Sequence, residues 1–415
     1  MTSRRRFLMT AAAASAMAGR PMSAAKTRDD AFPYSEFEAR IARRDFRGMT
    51  KDVLPTPSMV IDLAAFERNM NTMATQAKST GINLRPHCKI HKSVEIARRQ
   101  ISLGAIGITC ATIAEAELMS NAGIRNVLWT QQPASINNVE RAVALSRKDP
   151  TFLFVVDSPL VLDWVEQAAA ANNAHLRIAV SVFESMARQG IENGQPALAL
   201  SQKVSQSKRM RFEGLMAYSG GAAHTHGWQK RRERSAADLA GVRETAELCK
   251  KSGLPVKIVS GGSTGTYNID HENGLTELEA GSYVFMDTGY AQIGSKSGDA
   301  VYNDFANALT ILTTVTSVNH PNLVTTDYGN KANAKPTDKV KGKPWLGLLN
   351  QGAEYGGLTW KPDDPGPELK LGDRVEIICT NLDTSTNNFD RYYVADGDRI
   401  VDVWPIMGRS GAAQR

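Results

Sequence analysis

Nine residues, Leu84 to Lys92, read LRPHCKIHK and hold two lysines, two histidines, an arginine and a cysteine. A solvated basic turn has this composition, but a lysine amine is also the side chain that condenses with a carbonyl group. A second stretch, SGGSTG from Ser260 to Gly265, supplies the opposite chemistry. The small residues Gly261 and Gly262 let backbone N–H groups close on an anion, and Ser263 and Thr264 add hydroxyl donors. No Lys-Ser or Lys-Thr follows, so this is no Walker loop, and a plain tight turn would read the same way.

These residues must be positioned by regular elements. From Pro57 onward, short β-branched runs (SMVID, INLRP, IGITCA, NVLWT, FLFVVD, RIAVSVF, FEGLMAY, VKIVSG) alternate with segments whose apolar residues recur every three or four positions. Strand and helix in alternation imply parallel βαβ units. Eight such strands predict an α/β fold, a (β/α)8 TIM-type barrel, with a doubly wound sheet as the alternative. After about residue 295 the helical segments stop, and strands with turn signals, including Asp396-Gly397, predict a C-terminal all-β domain. The expected organisation is a leader over 1–25, an N-terminal segment over 26–55 that joins the β-domain, and a cofactor-binding barrel over 56–295. The β-domain then covers 296–408 and a tail 409–415.

In such a barrel, function sits at the C-terminal ends of the strands. Lys89 follows INLRP, Arg188 follows RIAVSVF, Tyr218 ends FEGLMAY and SGGSTG follows VKIVS, so all four face one mouth. A lysine opposite a phosphate cradle is what pyridoxal 5'-phosphate requires, because the amine bonds its aldehyde while the phosphate tethers it.

Several motifs in order, TPSMVIDLAAFERNM, LRPHCKIHK, LGAIGITCATIAEAELMSNAGI, GLMAYSGG, SGGSTGT and LTELEAGSYVFMD, resemble the D-threonine aldolase and D-serine dehydratase family. These are pyridoxal phosphate enzymes with an alanine racemase-type N-terminal barrel, and the similarity runs from Thr56 to Gly408. The resemblance implies a lyase acting on a D-amino acid, by aldol cleavage of a β-hydroxy substrate. Dehydration with loss of ammonia and racemisation are the alternatives. It places the cofactor on Lys89 and sets Arg188 and Tyr218 beside the ring, with Gly261, Gly262, Ser263 and Thr264 at the phosphate. Lys92 becomes a structural or solvent-facing residue, and Tyr283, Met286 and Asp287 fall in another mouth motif. His87 and His91 either orient the cofactor or are buried structural groups. The family type also implies a homodimer. A non-catalytic protein that binds the cofactor or a D-amino acid, and a cofactor-free barrel hydrolase, are the competing classes.

The chain departs from the family at three histidines. A His-x-Asp or His-x-Cys pair near the C-terminus binds a divalent metal in many members. Asn381 and Asp383 stand there in this chain, so the metal site these two residues would form is incomplete. Ser219 replaces the histidine after the barrel tyrosine, and Tyr355, taken as a catalytic residue, replaces a third. Loss of imidazoles removes groups that transfer protons near neutral pH.

Composition sets outer limits. With 415 residues and 42% hydrophobic content, the chain can bury a large core. Four scattered cysteines suggest neither a disulfide framework nor a zinc site. The start, MTSRRRFLMTAAAASAMAGRPMSAA, resembles a twin-arginine export signal, with Arg4 and Arg5 as the pair, an apolar stretch too short to span a bilayer, and small residues for cleavage. Its removal lowers the formal charge from +6 to +2, which argues against nucleic acid as a partner and leaves no membrane anchor. A periplasmic location is expected. Replacing Arg4, Arg5 and Arg6 with lysine should therefore hold precursor in the cytoplasm on fractionation, and unchanged periplasmic yield would refute the reading.

Overall fold

The computed structural model describes residues 34–183, 186–364 and 366–409, so the segment expected to be an export signal lies outside the described residues. The chain forms two units, one up to Met49 and one from Thr50 onward. In the first, the helix Phe37–Ala42 carries Arg40, which pairs with Asp45 at 3.5 Å.

The second unit contains two sheets. Its first strand, β1 (Ser58–Asp62), is followed by the helix Leu63–Thr80, whose N-terminus is capped by Asp62 accepting from the Ala65 N–H at 3.1 Å. Then come β2 (Asn83–Leu84), β3 (Thr109–Cys110), β4 (Leu128–Trp129), β5 (Leu153–Val156), β6 (Leu176–Ser181), β7 (Met210–Ala217), β8 (Ile258–Gly261) and β9 (Glu277–Leu278). These eight, β2 to β9, form one parallel sheet in the order β2-β9-β8-β7-β6-β5-β4-β3. The two ends of that order meet. His87, just past β2, makes a parallel bridge to Thr109, while the Ile106 N–H donates to the Leu84 carbonyl at 2.8 Å and the Thr109 N–H to Pro86 at 2.9 Å.

Alternation along the strands divides the side chains. In β5, Leu153 and Val155 join Leu128, Ala179, Met216 and Ile258 in an inner cluster, whereas Phe154 and Val156 pack outward against the helices with Trp129 and Phe152. Each fully buried large side chain of this kind contributes roughly 1.5–3 kcal/mol. The inner face also holds ion pairs. Arg85 grips Glu277 with two hydrogen bonds, 3.0 and 2.8 Å, and Arg177 reaches Glu213 at 3.0 Å.

The second sheet is built from β1 and the strands β10 (Leu309–His320), β11 (Leu323–Thr326), β12 (Lys339–Val340), β13 (Gly347–Asn350), β14 (Gly356–Thr359), β15 (Arg374–Ile378), β16 (Arg391–Asp396) and β17 (Arg399–Pro405). Its main order is β13-β14-β11-β10-β1-β16-β17, with β15 joining β10 to β12. The hairpin expected at Asp396-Gly397 is present between β16 and β17, and Gly397 takes the left-handed φ of +60° that the turn needs. One strand is placed differently from expectation. The sequence pattern makes SMVID the first barrel strand, but β1 lies between β10, antiparallel, and β16, parallel, in the second sheet. The eighth barrel strand is the two-residue β9 inside LTELEAG.

Both side chains of the Arg85–Glu277 pair are 2% exposed. Removing one partner leaves a buried charge without its counter-charge, so Glu277→Ala should lower unfolding free energy by about 3–5 kcal/mol in urea titration. Lys203→Ala, which breaks the half-exposed pair with Asp163, should cost under about 1 kcal/mol in the same assay. Equal costs would refute the assignment.

Candidate active site

A cavity of about 590 Å³ opens where the barrel strands end, and Lys89, Arg188, Tyr218, Gly262, Ser263, Thr264, Asn381 and Asp383 all line it. The size suits a cofactor and a small substrate. Lys89 sits in a short 3-10 turn, Cys88–Ile90, whose first N–H groups are met by His87: its Nδ1 accepts from the Lys89 N–H at 3.4 Å. The ammonium of Lys89 lies 3.2 Å from Asp383 Oδ2, and both side chains are 37% exposed into the opening.

Asp383 is carried by the helical turn Leu382–Ser385 of the β-domain. That turn is fastened to the lysine loop by Lys92, whose buried ammonium donates to the Lys89 carbonyl, to the Asp383 carbonyl at 2.9 Å and to the Thr386 hydroxyl at 2.9 Å. Lys92 is therefore structural. Burial lowers its pKa, while the nearby charges of Glu115 and Asp383 work in the other direction.

The glycine-rich loop follows β8. Gly262 has φ +79°, a left-handed conformation, and a Cβ there would stand 2.8 Å from both Asp270 Oδ2 and Leu278 Cδ2. Gly261 lets β8 run close under the Ala217 carbonyl but does not itself line the cavity. Ser263 Oγ shares a hydrogen bond with Thr266 at 3.1 Å, and Thr264 Oγ1 accepts from the Tyr283 N–H at 2.9 Å, leaving the Thr264 hydroxyl proton to donate. Arg188 places its guanidinium 5.4 Å from the centre of the Tyr218 ring.

Several expected positions have other tasks. Tyr355 is 53% exposed on the approach to β14 and does not line the cavity. Tyr283 is fully buried and its hydroxyl accepts from Gln100 at 3.0 Å, so of Tyr283, Met286 and Asp287 it is Asp287 that reaches the cavity. His91 is buried, its Nδ1 accepting from the Ser93 N–H at 3.1 Å, and burial drives its pKa down to about 3. His87 lines the cavity, and burial followed by the charge of Lys89 holds it well below the usual histidine range. Both imidazoles are thus neutral at physiological pH. Residues not foreseen from sequence complete the walls: His224, with its ring 4.4 Å from that of Tyr290, and Glu279, whose carboxylate accepts from Ser260 at 2.7 Å.

The residues fit pyridoxal phosphate in chemistry: an amine for its aldehyde, and hydroxyl and backbone donors for its phosphate, in a cavity of suitable volume. They do not fit a divalent metal. Asn381 Oδ1 caps the helical turn, accepting from the Thr384 N–H at 3.3 Å, and Asp383 is turned to Lys89. Among the described residues, no three of His, Cys, Asp and Glu come together as ligands. The metal pair expected at Asn381 and Asp383 is thus not assembled.

Comparison with known proteins agrees with this geometry. A family profile described as alanine racemase, N-terminal domain, matches residues 61–289, and one described as putative serine dehydratase domain matches 308–395. The chain belongs to the D-threonine aldolase and D-serine dehydratase family. It is 30% identical to 3-hydroxy-D-aspartate aldolase of Paracoccus denitrificans, over 87% of this chain and 94% of that one. It is also 30% identical to D-threo-3-hydroxyaspartate dehydratase of a Delftia species, over 85% and 97%. The crystal structure of D-threonine aldolase from Filomicrobium marinum superposes with a TM-score of 0.81 at 30% identity, covering 87% of this chain and 97% of that one. The protein is accordingly a lyase of a pyridoxal phosphate-dependent family.

Glu279 gives this site a pH signature. Burial raises its carboxyl to about 7, with the Ser260 hydrogen bond opposing. The folded state therefore holds a proton that the unfolded chain releases near pH 4.5, and the stability this confers is lost as pH rises through 7. Glu279→Gln should flatten the fall in unfolding midpoint between about pH 4.5 and 7. An unchanged slope would show that the carboxyl is not held protonated.

Proposed function

We propose that this lyase cleaves the Cα–Cβ bond of a D-β-hydroxy amino acid into glycine and an aldehyde. The observation that carries this reading is the Lys89 amine and the Asp383 carboxylate facing each other at 3.2 Å inside a cavity whose wall holds the Ser263–Thr264 loop. Ser263, Thr264 and the Gly262 backbone would hold the cofactor's phosphate, Lys89 its aldehyde carbon, and Arg188 with Tyr218 the ring region. Bound pyridoxal phosphate supplies a sink for the electron pair left on Cα when the bond breaks.

The chain's own groups then handle protons and orientation. Lys89, at the point where the cofactor's aldehyde would be held, is the group able to return a proton to Cα after cleavage. His87, held neutral by burial, can accept or donate one hydrogen bond without adding charge beside the lysine. Asp383, fixed through the Lys92 clasp, stands on the β-domain side of the opening, where a β-substituent of the substrate can meet it. The glycine and aldehyde assignment is supported by aldolases among the relatives at 30% identity.

The test uses purified protein loaded with pyridoxal phosphate and offered D-threonine, D-3-hydroxyaspartate, D-serine and their L-enantiomers. Aldehyde and glycine should form from a D-β-hydroxy substrate, and Lys89→Ala should lower the rate by at least about 100-fold. Borohydride reduction and peptide mapping should place the pyridoxyl group on Lys89. Ammonia and an oxo acid in place of aldehyde would move the protein to the dehydratase branch. Cofactor binding with no turnover of any amino acid would make it a binding protein.

A further inference from the structure

We infer that Asp383 works as the direct acceptor for the substrate's β-hydroxyl, without a divalent metal between them. The inference rests on the lyase reading above and deepens it.

The local geometry gives Asp383 and Asn381 separate tasks. Asn381 begins the turn Leu382–Ser385, and its Oδ1 is taken by the Thr384 N–H and hydroxyl, each at 3.3 Å. An N-cap oxygen used in this way stabilises the turn that carries Asp383, and turning it outward to a cation would uncap the helix. The turn itself is tied down at its carbonyls and hydroxyls: Lys92 holds the Asp383 carbonyl, and Asn333 Nδ2 donates to Ser385 Oγ at 2.8 Å. Because the backbone of Asp383 is held and its neighbour is occupied, the carboxylate is left as the polar group of this turn that points at Lys89.

That arrangement is a paired cation and anion, which becomes something else when the lysine is used. To bond an aldehyde the amine must give up its proton and its charge. Asp383 then loses the cation opposite it but not its place, and a substrate hydroxyl entering the opening is the next donor it can meet. The proton balance of the cleavage closes on this residue. Asp383 takes the hydroxyl proton as the oxygen pair forms the C=O of the aldehyde. The Cα–Cβ bond breaks with its pair left on Cα, and one proton returned to Cα completes glycine. No oxidant or reductant enters, and no Lewis acid is required for a carboxylate to accept this hydrogen bond.

The experiment uses cofactor-loaded full-length protein and reads metal binding and turnover separately. Wild type, dialysed against chelator, should cleave the D-β-hydroxy substrate at an unchanged rate and bind Mn²⁺ only weakly by calorimetry. Asp383→Asn keeps the backbone contacts with Lys92, so it should retain its unfolding midpoint and its cofactor absorbance while turnover falls at least about 100-fold. Asn381→His should tighten Mn²⁺ binding at least about 10-fold, a readout that does not depend on catalysis. Wild-type turnover retained in Asp383→Asn would overturn the inference and leave the lyase reading standing, as would tight stoichiometric metal that survives chelation. Wild type that cleaves no such substrate would overturn both.

Discussion

A buried ammonium fixes the distance on which this site depends. Lys92 is 4% exposed, yet its charge lies among oxygens of two different domains: the Lys89 carbonyl from the barrel side, and the Asp383 carbonyl and Thr386 hydroxyl from the β-domain. A desolvated charge without such acceptors costs several kcal/mol, so the contacts are obligatory and act as a clamp. The backbone adds to it, since the Lys92 carbonyl accepts from the Met407 N–H at 2.9 Å and the Gly408 N–H at 3.2 Å. The left-handed φ of +50° at Lys92 turns the chain so that both its ends can serve. Two lysines three residues apart thus have different work: one holds the loop, and the other is presented by it.

Most of the barrel was legible because its strands are β-branched runs between amphipathic helices, a pattern that follows from burial on both faces of a parallel sheet. The same reasoning misplaced SMVID. A short apolar run records that it is buried but not which sheet it joins, and β1 is buried in the second sheet between β10 and β16. It also missed β9, where two residues are too few to show alternation. Glu279 went unnoticed for that reason, being the first residue past a strand that had not been recognised. Arg188, Tyr218 and the Ser263–Thr264 pair are legible because they follow β-branched runs, and Lys89 because of the titratable cluster around it, although β2 is itself only two residues long. His224 follows a four-residue helix, Gly220–Ala223, with no sequence pattern to mark it as facing the mouth.

Where relatives are expected to carry histidines, this chain has polar residues with local structural tasks. Ser219 caps the Gly220–Ala223 helix through the Ala222 N–H at 3.3 Å and donates to Asp238. Asn381 caps its own turn, and Tyr355 is half exposed outside the cavity. Serine and asparagine are strong N-caps because a short side-chain oxygen reaches the free N–H groups of the first turn, which an imidazole does less well. Ser219 and Asn381 thus serve as caps, and neither supplies an imidazole to the mouth.

What remains at the mouth is a set of carboxylates sorted by environment. Asp287 is buried, accepts from the Tyr290 N–H at 2.9 Å, and is raised to about 7, first by desolvation, with the charge of Asp383 adding to the effect. Asp383 is more open and faces a lysine ammonium. Two acids that share an opening but not an environment resist ionising together, as like charges in one cavity do. Under the proposed cleavage Asp287 is the carboxyl that more readily holds a proton and Asp383 the one that accepts one. In that proposed reaction the acid–base groups are Lys89 and these carboxyls, set on either side of the seam between barrel and β-domain that Lys92 ties together.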